Sequence, residues 1–194
     1  MSTSQITNQT DKDKSLWVLG DLCTFKVVGE ETNGNYSVVD ILAQPNNGPP
    51  PHIHHRENEG FYVLDGEFSF LYVDSPFTAT AGSFVHIPKG TLHTFNNVGT
   101  VPARVLVIIT PAGLEKLFEE IGEPAKDKTS PPPFNPATVE KLLSLAPKYH
   151  LEIKPSPAGS TAGMSISLYL FESVLPVRTI KPSFGSPRMS ERPA

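Results

Sequence analysis

"PPPHIHHRENEGFYVLDGE", residues 49–67, sets three histidines within four positions ahead of three glutamates and a tight turn. In an extended chain side chains alternate between two faces, so His52 and His54 point the same way and His55 points to the other side. Two imidazoles on one strand face beside carboxylates shift the expectation from a lone core histidine toward a metal. Past the histidines, Glu59, Phe61 and Val63 again share one face, and Asp65-Gly66 breaks the run as a hairpin turn.

A second stretch, "GSFVHIPKGTLHTFNN", occupies residues 82–97, and in it His93, thirty-nine residues beyond His54, follows a Pro-Lys-Gly turn. It supplies a third imidazole, and Phe95 shares its parity. His55 and His86 fall on outward or loop positions. Glu57 is expected to pair with Arg56 in a solvated loop.

Around these stretches, residues 36–110 consist of short runs of Val, Ile, Phe and Tyr separated by "PNNGPPP", "LDGE", "DSP", "AGS", "PKG" and "NNVGT". Such punctuation predicts an all-β sandwich or barrel, here spanning 15–110. The run "ARVLVIIT", residues 103–110, is apolar on both faces, so a helix, a second sheet or a partner subunit must cover its outer side. The period then changes. Leu114, Leu117, Phe118 and Ile121 recur at helical spacing, with Thr110 as N-cap, Pro111 at the first helical position and Gly122 as the stop. A Pro-rich connector leads to "NPATVEKLLSLAP", where Asn135 and Pro136 repeat the start signal. Residues 111–154 therefore read as two helices packing on the barrel. Residues 1–14 read as a disordered N-terminus, and 155–194 as an edge strand or disordered extension.

Composition narrows the partners. A chain of 194 residues suits a single core, and a net charge of −4 with scattered Lys and Arg offers no stripe for nucleic acid. Cys23 stands alone in an apolar stretch and reads as a buried, inert thiol in a reducing compartment. Neither a signal peptide nor an apolar run of roughly 20 residues is visible, so no membrane contact and a cytoplasmic location are expected.

The two stretches together resemble the paired motifs of the cupin superfamily. The first family pattern, His-x-His, then Glu after three or four residues, then Gly after six, matches His52, His54, Glu59 and Gly66. The second matches Gly82, Pro88, Gly90, His93 and Asn97 at every fixed position. The opening glycine departs from the pattern, since only three residues separate Gly48 from His52. The resemblance implies a cupin jelly-roll barrel and one divalent metal ion per chain, held by His52, His54, Glu59 and His93. Fe, Mn, Ni, Co, Cu and Zn all suit imidazole and carboxylate, so the identity of the ion stays open.

The wording of residues 48–67 is similar to single-domain cupins of the quercetin 2,3-dioxygenase-like group. That similarity implies an oxidoreductase, a dioxygenase cleaving a flavonol-like or enol small molecule with O2, in which Glu59 is the catalytic base. Phe61, Val63 and Phe95 would line the substrate pocket. A metal-dependent isomerase and a non-enzymatic small-ligand-binding cupin are the alternatives. Independently, residues 36–110 contain only Arg56, Lys89 and Arg104 as basic side chains, too few to clamp a sugar phosphate or oxalate. Pairing of cupin barrels through their sheets implies a homodimer.

Overall fold

The computed structural model describes residues 14–154; the expectations for 1–13 and 155–194 lie outside them. Strands β1 (Ser15–Val18), β2 (Asp21–Val27) and β3 (Ser37–Ala43) precede the histidine strand β4 (His52–His54) and β5 (Asn58–Asp65). They are followed by β6 (Glu67–Tyr72), β7 (Ser75–Thr80), β8 (Phe84–Ile87), β9 (His93–Asn97) and β10 (Ala103–Thr110). Helix α1 (Glu115–Ile121), the short strand β11 (Glu123–Pro124), helix α2 (Pro136–Leu145) and strand β12 (Leu151–Ile153) complete the described chain.

Two antiparallel sheets result, ordered β11-β1-β2-β3-β10-β5-β8 and β12-β4-β9-β6-β7. Their hydrogen bonding does not close into one continuous barrel. Instead their inner faces meet in one core. Phe61 of the first sheet packs edge-on against Phe70 of the second, with ring centroids 5.4 Å apart, and Phe95 fills the same space. The alternation read from the sequence holds along β10, where Val105, Val107 and Ile109 are buried and Leu106 and Ile108 are half-buried on the outer side. At the β5–β6 turn Gly66 adopts φ +82, and a Cβ there would stand 2.5 Å from that of Ala103. Only glycine fits both conditions.

The helices do not cover the outside of the first sheet. Leu114, Leu117, Ile121 and Leu142 join the interior core, so α1 and α2 roof the gap between the sheets. The start expected for α1 at Thr110 and Pro111 is displaced. Thr110 remains in β10 opposite Asn58, and residues 111–114 form a turn fastened by Ala112 N–H to the Gly34 carbonyl, 3.0 Å. The buried Glu115 carboxylate accepts from Gly29 N–H and Gly113 N–H, so helical bonding begins only at Glu115. The second helix starts as expected, with the Asn135 side chain accepting from Ala137 N–H. β12, inside the segment expected to be helical, pairs with the histidine strand: Leu151 lies opposite His54 and Ile153 opposite His52. No helix among the described residues is long and apolar enough to cross a membrane.

Candidate metal centre

His52 and His54 project from β4 into the space between the sheets, and ladder pairing sets His93 of β9 directly opposite His52. Glu59 approaches from β5 of the facing sheet, opposite Ile109 and Ile87. Three imidazoles from one sheet and one carboxylate from the other therefore converge, each buried, with one donor atom apiece lying within 4.8 Å of the rest. The connecting turns are fixed to this end. Gly90 N–H donates to the His54 carbonyl at 2.7 Å, and Lys89 N–H donates to the Asn58 side chain at 3.1 Å. Asn97 is fully buried. Its amide donates to the Ala43 and Val101 carbonyls and its oxygen accepts from Gly99 N–H, so this motif residue shapes a turn.

Hydrogen bonding defines the imidazole tautomers. His52 Nδ1 lies 2.8 Å from the Pro50 carbonyl and His93 Nδ1 lies 3.0 Å from the Thr91 carbonyl. A carbonyl only accepts, so each Nδ1 carries a proton, which leaves Nε2 as the nitrogen of each ring that can ligate an ion once it is unprotonated. Yet His93 Nε2 is 2.8 Å and His54 Nε2 3.3 Å from the same Glu59 oxygen. An Nε2 this close to a carboxylate oxygen is favourable only with a proton or a metal cation between them. The donor set fits a divalent ion, three neutral nitrogens and one carboxylate oxygen being a mixture that several transition metals accept.

Protonation tendencies in the protein alone follow the same logic. Burial opposes charge on Glu59, but His54 and His93 beside it outweigh that and hold its carboxyl well below the usual range. Burial likewise opposes charge on His54, and the Glu59 carboxylate overrides it, raising His54 above the ordinary imidazole value. His52 is pushed well down by burial and then by its two histidine neighbours.

The cluster opens onto a cavity of about 90 Å³, lined by Asp21, Cys23, Phe61 and Phe95 of the strands and by Leu117 and Phe118 of α1, among other apolar groups. Phe61 and Phe95 both line this cavity. Val63 is buried but does not line the cavity. It sits four residues from Glu59 along β5, roughly 13 Å at the usual rise, and packs deeper in the core. None of Arg56, Lys89 and Arg104 reaches the lining. Arg104 pairs with Asp40, and Arg56 donates to the Ala112 carbonyl.

Two acids escaped the sequence reading. Glu57 is only 2% exposed, not solvated, although it does approach Arg56 at 3.7 Å. Asp21 lines the cavity and is pushed up to about 7 by burial, against the hydrogen bonds it accepts from Asn47 and Gln44 N–H. It is the first residue of β2, next to the turn at Gly20, and nothing in the local sequence signalled its burial. Cys23, buried as expected, has its thiol raised well above the ordinary value by burial and then by Asp21. His55 and His86 face outward, His55 pairing with Glu152 at 3.0 Å.

Residues 40–109 match the family described as Cupin domain. The chain is 23% identical over 95 residues to quercetin 2,3-dioxygenase of Bacillus subtilis strain 168, a match covering 49% of this chain and 28% of that protein. It is 38% identical over 91 residues to probable germin-like protein subfamily 2 member 5 of Arabidopsis thaliana, covering 42% and 40%. The chain thus spans less than half the length of these curated relatives. Among solved structures, KdgF from Halomonas sp. shares the fold at a TM-score of 0.52 and 16% identity, over 59% of this chain and 99% of that one. The region that matches the Cupin domain model thus contains all four residues of the cluster suited to a divalent ion.

Proposed function

We propose that this chain is a metal-dependent dioxygenase that cleaves a small, uncharged enol, with its divalent ion held by His52, His54, Glu59 and His93. The observation that carries the reading is the join between that cluster and an apolar cavity whose lining contains no Lys or Arg. A sugar phosphate or oxalate would meet no Lys or Arg clamp beside the ion there. The partial likeness to quercetin 2,3-dioxygenase supports oxygen chemistry. Cavity size then narrows the substrate. An apolar cavity of about 150 Å³ takes up benzene, so about 90 Å³ favours a small enol over a three-ring flavonol unless α1 and α2 shift.

A bound divalent ion would supply Lewis acidity and a template for the enol oxygen. Glu59, the one carboxylate of the cluster, is the acceptor for the enol hydroxyl proton. Phe61 and Phe95 present ring faces and edges to a planar molecule, while Leu117 and Phe118 exclude water above it. The net reaction breaks one carbon–carbon bond and places both atoms of O2 in the products.

The test is oxygen uptake by metal-loaded protein with small enols, flavonols and sugar phosphates. Uptake should match enol consumed, with none for the sugar phosphates. Phe61→Ala or Phe95→Ala should weaken enol binding by about 1–3 kcal/mol through lost apolar burial and leave metal content unchanged. Turnover that proceeds equally without oxygen would place the protein among the isomerases, and binding without turnover among ligand-binding cupins.

The same reading includes a homodimer. On the outer face of the first sheet, Tyr62, Leu64 and Phe84 are exposed beside half-buried Val38, Leu106 and Ile108, and the helices lie elsewhere. A patch of this kind calls for cover. Light scattering should give twice the chain mass, and Phe84→Glu should lower it toward the monomer. A wild-type monomer at high concentration would overturn this arrangement.

A further inference from the structure

We propose that Glu57 is a positioning residue of the metal centre: its carboxylate accepts the Nδ1–H of His54, fixes that ring with Nε2 bare toward the ion, and so sets the affinity of the site. This rests on the metal-binding reading above and concerns a residue outside the four donors.

Two of the three histidines already have a partner at Nδ1, and in each case it is the carbonyl two residues earlier, Pro50 for His52 and Thr91 for His93. His54 lacks this arrangement. The residue two before it is His52, whose backbone lies within β4, flanked by β12 and β9. Its Nδ1 is buried with no hydrogen-bond partner, and so is Oε2 of Glu57. These two orphans face each other at 3.9 Å.

A buried donor and a buried acceptor without partners are each costly, and they are complementary once the proton is placed on Nδ1. A shift of about 1 Å brings them within the usual hydrogen-bond distance. Such a shift is local, because Glu57 follows His54 by three residues in the turn that leaves β4. Arg56 anchors that turn. Its guanidinium approaches Glu57 Oε1 at 3.7 Å and donates to the Ala112 carbonyl at 3.2 Å, leaving Oε2 directed at the histidine. The result is an asymmetric set of ligands, two rings held by neutral carbonyls and one by a carboxylate. A carboxylate behind a ligating imidazole makes the nitrogen facing the metal more basic, and loss of such a partner typically costs 10–100-fold in affinity.

The experiment uses Co2+ as probe on the apo forms of the full chain, wild type, Glu57→Gln and Glu57→Ala. Kd is read by chelator competition, ligand strength from the visible Co2+ absorption, and folding from apo melting temperature. Glu57→Ala should weaken Co2+ by about 10–100-fold and shift the absorption. Glu57→Gln keeps an acceptor oxygen without the charge and should fall between wild type and the alanine variant, restoring most of the spectrum. Should the alanine variant fail to fold, the isosteric glutamine variant carries the test through a measurable loss of affinity. A purely structural role predicts a lowered apo melting temperature with wild-type Kd and spectrum in both variants, and that result overturns the proposal. Wild-type protein that binds no Co2+ overturns the metal-binding reading instead, a separate and recognisable failure.

Discussion

His93→Ala protein, loaded with metal and desalted, should retain less than a tenth of the ion that wild type holds. His93 is the donor whose removal leaves least behind. It is 1% exposed, its Nδ1 is fixed by the Thr91 carbonyl, and its Nε2 makes the shortest approach to Glu59, 2.8 Å. Without it, His52 loses its cross-strand partner and only β4 and β5 contribute donors. An affinity loss on the order of a thousandfold, about 4 kcal/mol at 1.4 kcal/mol per tenfold, is expected. The vacated volume also costs apo stability, so elemental analysis should be paired with melting of the apo form. His93→Gln keeps most of the bulk and separates the two effects. Metal occupancy equal to wild type in both variants, with both folded, would remove His93 from the site.

The four residues of the cluster were legible because strand parity and fixed spacing are properties of the chain itself. His52 and His54 had to share a face, and the two motif intervals brought Glu59 and His93 to them. The Asn135 cap was legible for a similar reason, being a contact across two residues. What the sequence hid depends on distant partners. Glu57 beside Arg56 looked like a solvated pair, yet it is buried with its carboxylate beside His54. The start of α1 was misplaced because Thr110 is held by Asn58 across the sheet, a contact between residues far apart in the chain. The apolar stripe of α1 announced a buried face but not what it would bury against, which turned out to be the roof of the cavity. Strand β12, three residues long, carries too little alternation to register by itself.

Gly48 seemed the weakest point of the motif match, yet its replacement by alanine should be among the most damaging single changes in the domain. The residue is buried, and a Cβ built on it would lie 2.0 Å from the Phe95 carbonyl oxygen and 3.1 Å from Asn96 Cα. These are backbone atoms of β9, which cannot rotate aside as a side chain would. The segment they abut is stitched to β9 by Asn46 N–H to the Asn97 carbonyl, Asn97 N–H to the Asn47 carbonyl, and the Thr94 hydroxyl to the Pro49 carbonyl. To admit the methyl, residues 46–49 must separate from β9 and give up part of this stitching. Overpacking of a well-packed core costs about 1–3 kcal/mol, and lost buried hydrogen bonds add to it, so a total near or above about 3 kcal/mol is expected. At this chain length that corresponds to a fall in melting temperature of roughly 6–12 °C. The site should feel it too, because β9 carries His93 two residues before Phe95 and the displaced segment leads into His52. Metal affinity should therefore drop along with stability. Gly90→Ala is the control: it is also a motif glycine, at φ +80, but its Cβ would meet nothing within 4 Å. Its cost should stay at the roughly 1–2 kcal/mol of left-handed strain. Equal melting temperatures for the two variants would mean that residues 46–49 yield freely, and that the close approach of Gly48 to β9 does not hold the two histidine strands in register.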